Sequence, residues 1–161
     1  IFEGNEAYNN LKDFCNFFCH PNGFHMNQDY KKAGYNSYGP YVLTLEANIG
    51  FLRSLSDMML YCNKNKIVIF PAIPDKFIKE GCSFENLVAK GGHKISASLH
   101  NGLLNFEINF VNNDVFYLYN NFEDNPILKI DGVETKFASK LNSFILIKNC
   151  KFLQYKGVRK C

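Results

Sequence analysis

Lys66-Ile67-Val68-Ile69-Phe70-Pro71-Ala72-Ile73-Pro74 marks a change of period in this chain. Its first five residues are short in span and rich in β-branched side chains. Pro71 and Pro74 then close the run, as expected of a strand bounded by residues that cannot continue it. On the N-terminal side, apolar residues recur three and four apart. On the C-terminal side, short runs alternate with turn signals. The join between the two regimes falls within residues 70–77.

Upstream of the join, Ala7, Tyr8, Leu11, Phe14, Cys15 and Phe18 recur at i, i+3, i+4 and i+7, which predicts a helix over 5–18. Asn5 is its expected N-cap, since its side-chain oxygen can accept from free first-turn amides. Pro21 and Gly23 end it. A second helix is predicted over 47–62 from the apolar stripe Ile49, Leu52, Leu55, Met58, Met59 and Cys62. Arg53, Ser54 and Asp57 form its polar face, and the two methionines are read as core. Residues 21–42 between the helices are rich in Gly, Asn, Tyr and Lys and carry Gly39-Pro40. A loop this long is usually functional or disordered; its Tyr and Phe content favours an ordered loop lining a cleft.

Downstream, one helical turn is predicted over 75–80. Strands follow over 85–90, 93–100, 103–111, 114–119, 127–130, 134–141, 144–148 and 150–155. Asn101-Gly102 and Asp131-Gly132 are hairpin dipeptides, because both tolerate the positive φ of a type I′ turn. Even hairpin spacing points to an antiparallel sandwich.

Bulk properties narrow the function classes. At 161 residues the chain is one domain, or one domain with part of another, and a hydrophobic share of 47% suffices for a core. The net charge of +3 comes from scattered Lys and Arg with no basic run, so no nucleic-acid partner is expected. Apolar runs fall short of the roughly 20 residues of a membrane helix, so no membrane span is expected. No signal-peptide pattern is present. The chain enters a helical pattern almost at once from Ile1, as expected of a piece of something longer. Cys15, Cys19, Cys62, Cys82, Cys150 and Cys161 match no disulfide framework or zinc knuckle. Cys15 and Cys19, with His20 and His25 nearby, could ligate a metal; the competing reading makes them small apolar residues on a buried face. No metal and no cofactor is expected.

Five stretches, in order, resemble the C-terminal end of glycoside hydrolase family 95, the α-L-fucosidase family. Asn22-Gly23-Phe24-His25-Met26-Asn27 resembles the loop before its last barrel helices. Leu43-Thr44-Leu45-Glu46-Ala47-Asn48-Ile49-Gly50-Phe51 resembles its acidic-x-Asn-Phe-Gly run. Ser56-Asp57-Met58-Met59-Leu60 resembles its Ala-Glu-Met-Leu-Leu helix, and Ile69-Phe70-Pro71-Ala72-Ile73-Pro74 its Leu-Leu-Pro-Ala-Leu-Pro link. Ser83-Phe84-Glu85-Asn86-Leu87-Val88-Ala89-Lys90-Gly91-Gly92 resembles the entry to its C-terminal β domain. The resemblance spans about residues 14–98.

It implies an α+β, mainly β, chain: two terminal helices of an (α/α)6 barrel in residues 1–66, a linker over 67–80, and a β-sandwich over 81–161. It also implies an inverting hydrolase of fucosylated glycans, in which one carboxylic acid protonates the leaving oxygen while a base-side carboxylate activates water. The family's general acid lies in an earlier barrel segment, so these residues alone are expected to be inactive. The base-side acid, usually Asp in the family, falls on Glu46, one methylene longer.

Glu46 has two readings: a carboxylate stabilised at a helix start, worth roughly 0.3–1 kcal/mol, or the base-side acid of the parent's site. Asn48 either binds a sugar hydroxyl or satisfies a helix amide. His25 offers two ring nitrogens for hydroxyls, and Asn27 and Asp29 flank it; a lone loop histidine is otherwise a structural hydrogen-bonder. Tyr35, Tyr38 and Tyr41 suit stacking on a sugar face or packing of the loop. The alternative function is a non-catalytic glycan-binding or scaffold sandwich, which calls for a shallow aromatic platform on an exposed face. Uncovered barrel-facing apolar surface, notably on the first helix, further predicts self-association or packing of the helices against the sandwich.

Overall fold

The structure is a computed structural model describing residues 3–35, 42–112 and 114–159. Tyr38, Tyr41 and Cys161 lie outside the described residues. The fold is α+β and mainly β. Helix α1 (Gly4–Asp13) runs into a π-helical turn (Phe14–Phe18), and the next helix is α2 (Leu45–Met59). A hairpin of β1 (Leu60–Asn63) and β2 (Lys66–Ile69) follows, then the short helix α3 (Asp75–Glu80). The remaining strands are β3 (Cys82–Val88), β4 (Lys94–His100), β5 (Leu103–Asn109), β6 (Phe116–Asn120), β7 (Ile127–Ile130), β8 (Val133–Lys136), β9 (Ser143–Ile147) and β10 (Phe152–Val158).

Two sheets form, a four-stranded one of order β1-β2-β6-β9 and a six-stranded one of order β3-β4-β5-β10-β7-β8. The pairing is antiparallel except for β2 against β6, which is parallel and sets Lys66 opposite Tyr117 and Ile67 opposite Leu118. The hairpin dipeptides act as expected: Asn101, Gly102, Asp131 and Gly132 all take positive φ.

Inward residues of the two sheets meet in one apolar cluster. Ile67 and Ile69 of β2, Phe116 and Leu118 of β6, and Ile145 and Ile147 of β9 face Ile95 and Leu99 of β4, Leu104, Phe106 and Ile108 of β5, and Leu153 of β10. Full burial of such a side chain stabilises by about 1.5–3 kcal/mol. Phe70 closes β2 with φ of 50° and no exposed surface; its burial holds a backbone conformation that a non-glycine residue rarely adopts. Asn121, also buried, donates from Nδ2 to the Ile69 carbonyl at 2.9 Å and ties the end of β6 to the end of β2.

The join differs from its sequence reading. Residues 67–80, a linker by the family resemblance, carry the strand and the helical turn read from the residues themselves, as β2 and α3, and between them Phe70 and Ile73 are buried. The second helix stops at Met59, and Leu60 and Cys62 pair across the hairpin with Ile69 and Ile67. Positive φ at Lys64 turns the chain there. Four residues fit a helical and a strand period equally well, and tertiary pairing decides between them.

Asn5 does not cap its own helix. Its Oδ1 accepts the Asp75 N–H at 3.0 Å and its Nδ2 donates to Asp75 Oδ2 at 3.0 Å, so it clasps the start of α3 instead. Tyr8 meets Phe77 edge-on at 5.2 Å. The first helix is therefore docked on the segment leading into the sandwich. The uncovered apolar stripe lies on α2, where Leu45, Ile49 and Leu52 are each 60% exposed. Among the described residues, no helix is long and apolar enough to cross a membrane.

Candidate functional site

Described residues of the connector between α1 and α2 pair with one another. Met26 N–H donates to the Phe18 carbonyl at 2.7 Å, Asn27 N–H to the Val42 carbonyl at 2.8 Å, and Thr44 N–H to the His25 carbonyl at 3.2 Å. Isolated bridges join Cys19 to His25 and Met26 to Leu43. These contacts bring residues 23–29 against the start of α2.

Asn48, in the first turn of α2, spans the gap. Its Oδ1 accepts the His25 N–H at 2.9 Å, and its Nδ2 donates to the Gly23 carbonyl at 2.8 Å. Both ends of the carboxamide are thus engaged by backbone, which makes Asn48 a strut for the loop. Thr44 precedes α2 in extended conformation, and its hydroxyl contacts His25 Nδ1 rather than capping the helix. Sequence did not mark Thr44 or Gly23 as partners of His25 and Asn48, because hydroxyl and carbonyl partners carry no motif of their own.

His25 is buried. Its ring stacks on Phe14 at 5.0 Å, and Phe14 in turn stacks on Phe51 at 5.4 Å. Burial pushes the imidazole pKa down, and the Glu46 carboxylate partly opposes this. The neutral ring is therefore the favoured form at neutral pH. Glu46 itself is exposed in the first turn of α2.

Asp29 is buried and turns the loop. Its Oδ2 accepts from Gly34 N–H at 2.7 Å and Tyr35 N–H at 3.1 Å. The backbone amide of Ala33, together with those of Tyr35, Gly34 and Lys32, holds its carboxyl below the usual range. A carboxylate held this way stays ionised and builds the loop. Asn27 is exposed on the same connector. Of the five sequence-predicted residues, the structure brings Asn48 and His25 together with Glu46 near them, while Asp29 engages Gly34 and Tyr35 of its own loop. Asn48, His25 and Asp29 are engaged in holding the loop, while Glu46 and Asn27 face solvent.

Tyr35 packs against Phe17 and Phe18 at 5.0 and 5.6 Å, so its ring belongs to the loop's own packing. Among the described residues, no group of three or more His, Cys, Asp or Glu side chains converges as a metal site. Burial pushes the Cys19 thiol pKa up, and neighbouring Cys15 adds to this.

Two concavities of about 680 Å³ each lie elsewhere, and neither is lined by Glu46, His25, Asn27, Asp29 or Asn48. One is a polar trough on the outer face of the six-stranded sheet, where register sets Ser83, Ser98, Asn105 and Lys156 in a row. The other is an aromatic cleft between the helical pair and the outer face of the four-stranded sheet. Its signal was present in sequence as alternation: Phe116 and Leu118 turn inward, so Tyr117 and Tyr119 turn outward.

Compared with known proteins, the chain matches no family model and no curated protein at a significant level.

Proposed function

We propose that this chain forms one wall of a glycoside hydrolase site of the α-L-fucosidase-like kind, within a parent that supplies the rest of an (α/α)6 barrel. Glu46 is its base-side carboxylate. The observation that carries this reading is the placement of Glu46: exposed at the head of α2, beside the buried His25, on a loop pinned by Asn48. The uncovered Leu45, Ile49 and Leu52 next to it give further barrel helices a surface to pack on.

In this reading Glu46 stands in the first turn of α2, open to solvent. Glu46 then orients a water across the sugar ring and takes its proton. A carboxylic acid from the rest of the parent protonates the leaving oxygen, and the configuration inverts. Exposed Asn27 offers hydrogen bonds to hydroxyls at the rim, and buried His25, held by Asn48, positions the loop that carries it. Fucosylated oligosaccharides are the substrate class.

The test compares the parent protein, its Glu46→Gln variant and the 161-residue chain in release of fucose from fucosyllactose. The parent should be active. Glu46→Gln should lower kcat by about 10²–10⁴-fold with KM little changed, and the chain alone should be inert. Activity in the isolated chain, or a Glu46→Gln parent at full rate, would overturn the assignment.

A second reading, a non-catalytic glycan-binding sandwich, is favoured by a separate observation: Tyr61, Tyr117 and Phe144 are all exposed on the outer face of the four-stranded sheet.

A further inference from the structure

We propose that Cys15 and Cys19 are a dithiol pair that a small-molecule disulfide oxidises to an intramolecular disulfide, and that this bond clamps the aromatic seat of His25. The proposal uses none of the chemistry assigned to Glu46, and it stands if Glu46 proves catalytically inert.

The two thiols are neighbours by winding. Cys15 lies inside the π-helical turn Phe14–Phe18, and Cys19 is the residue at which the chain leaves it. Side chains four apart on a helix share one face, and the Cys15 and Cys19 thiols are in hydrogen-bond contact. In an unbroken helix such a pair keeps its Cβ atoms about 5–6 Å apart, whereas a disulfide needs about 3.5–4.5 Å. Cys19 escapes that spacing, because its backbone is already extended, with φ of −103° and ψ of 132°.

Exposure separates this pair from the other described cysteines. Cys15 is exposed and Cys19 half-buried, while Cys150 is buried. Burial pushes the thiols of Cys62, Cys82 and Cys150 up, those of Cys62 and Cys150 to about 11, so little thiolate forms there. A metal reading of Cys15 and Cys19 lacks further ligands. His20 packs its ring beside Tyr30 at 5.9 Å, and His25 is committed to Thr44 and Phe14. No third His, Cys, Asp or Glu converges on the pair among the described residues.

The chemistry is two thiol–disulfide exchanges. Burial raises the Cys19 thiol as well, so exposed Cys15 attacks first. Its thiolate, having given its proton to water, attacks one sulfur of oxidised glutathione. The reagent's S–S bond breaks and one glutathione thiolate leaves. Cys19 then stands beside the mixed disulfide. It loses its proton to solvent, attacks Cys15 Sγ and expels the second glutathione thiolate. The protein gives up two electrons and two protons, and one oxidised glutathione becomes two reduced ones.

The consequence falls on the loop. Phe14 and Phe18, which directly precede Cys15 and Cys19, both stack on the His25 ring, at 5.0 and 6.3 Å. The Cys19 backbone bridges to His25, and its carbonyl accepts the Tyr30 hydroxyl at 2.6 Å. A bond from Cys15 to Cys19 fixes the spacing of both rings around His25.

The experiment exposes the folded 161-residue chain, and the same chain in urea, to graded ratios of reduced to oxidised glutathione. Alkylation and trypsin follow; residues 13–31 then form one peptide that holds these two cysteines and no others. That peptide should lose two hydrogen atoms and escape alkylation. The folded chain should reach half oxidation under conditions about tenfold or more reducing than the chain in urea requires. Amide exchange at His25 should slow about tenfold on oxidation and recover with dithiothreitol. Cys15→Ser should abolish both effects; if it loses its fold by circular dichroism, Cys19→Ser takes its place. Three results overturn the proposal. One is a peptide that stays fully alkylated or retains glutathione on Cys15. Another is oxidation no easier in the folded chain than in urea. The third is a disulfide that leaves exchange at His25 unchanged.

Discussion

Asn48 holds His25 through the backbone, accepting its N–H at 2.9 Å while donating to the Gly23 carbonyl two residues earlier at 2.8 Å. One side chain on α2 thereby fixes the position of a loop that is distant in sequence. Asn48→Ala removes both bonds and leaves a part-buried amide without its partner. A loss of about 1–3 kcal/mol is expected, read as a lower urea midpoint and faster hydrogen exchange at His25. Asn48→Asp keeps the acceptor and loses the donor, so it should fall between alanine and the native residue.

The buried histidines set a pH dependence. Burial lowers the pKa of His25 and of His93 below 6.5, with Glu46 and Asp114 respectively opposing the shift. The unfolded chain therefore takes up protons first as pH falls. Stability is full above pH 6.5 and declines as pH drops from there toward the folded-state values. Urea midpoints at about pH 7.5 and 5.5 should show this loss. His93 accepts the Val111 N–H at Nδ1 and packs edge-on to Phe116 at 4.4 Å. His93→Gln should be less stable at neutral pH and should show a shallower slope, having one fewer group to protonate.

Gly4 tests the docking of the first helix. A Cβ there would meet the backbone of Ile73 and Ala72. Helix propensity favours alanine by about 1 kcal/mol, but a clash with backbone has no flexible side chain to absorb it. Gly4→Ala should therefore destabilise by about 1–3 kcal/mol net. Loss of the Tyr8–Phe77 ring contact, followed by NMR, would show that α1 has shifted.

Asn121 tests the seam between β2 and β6. Asn121→Ala strands the buried Ile69 carbonyl and should cost about 1–3 kcal/mol. The loss should appear as a lower melting temperature with an unchanged denaturant slope, since the folded surface stays the same.

Much of the β half was legible because its signals are local. Asn101-Gly102 and Asp131-Gly132 mark their own turns, and β4, β5 and β7 fall where turn spacing predicts. Of the first hairpin, β2 was legible as a β-branched run and β1 was not. Cys62 continues a helical stripe in sequence, and only pairing with Ile67 makes it part of a strand. At the candidate site, sequence set Glu46 at the head of a helix but did not show which side chains hold the loop. Asp29 and Asn48 look identical to sugar-binding groups until their backbone partners are known. The aromatic cleft escaped because Tyr61, Tyr119 and Phe144 are far apart in the chain and converge only through strand order.

The parallel contact of β2 with β6 has a consequence for recombination. Two of the four strands of the smaller sheet come from residues that precede α3. A splice at the apparent seam near residue 80 would strip β6 of one of its two neighbours, β2, and leave a bare, adhesive margin. Gene shuffling, natural or deliberate, must carry the helices and the sandwich as one heritable block.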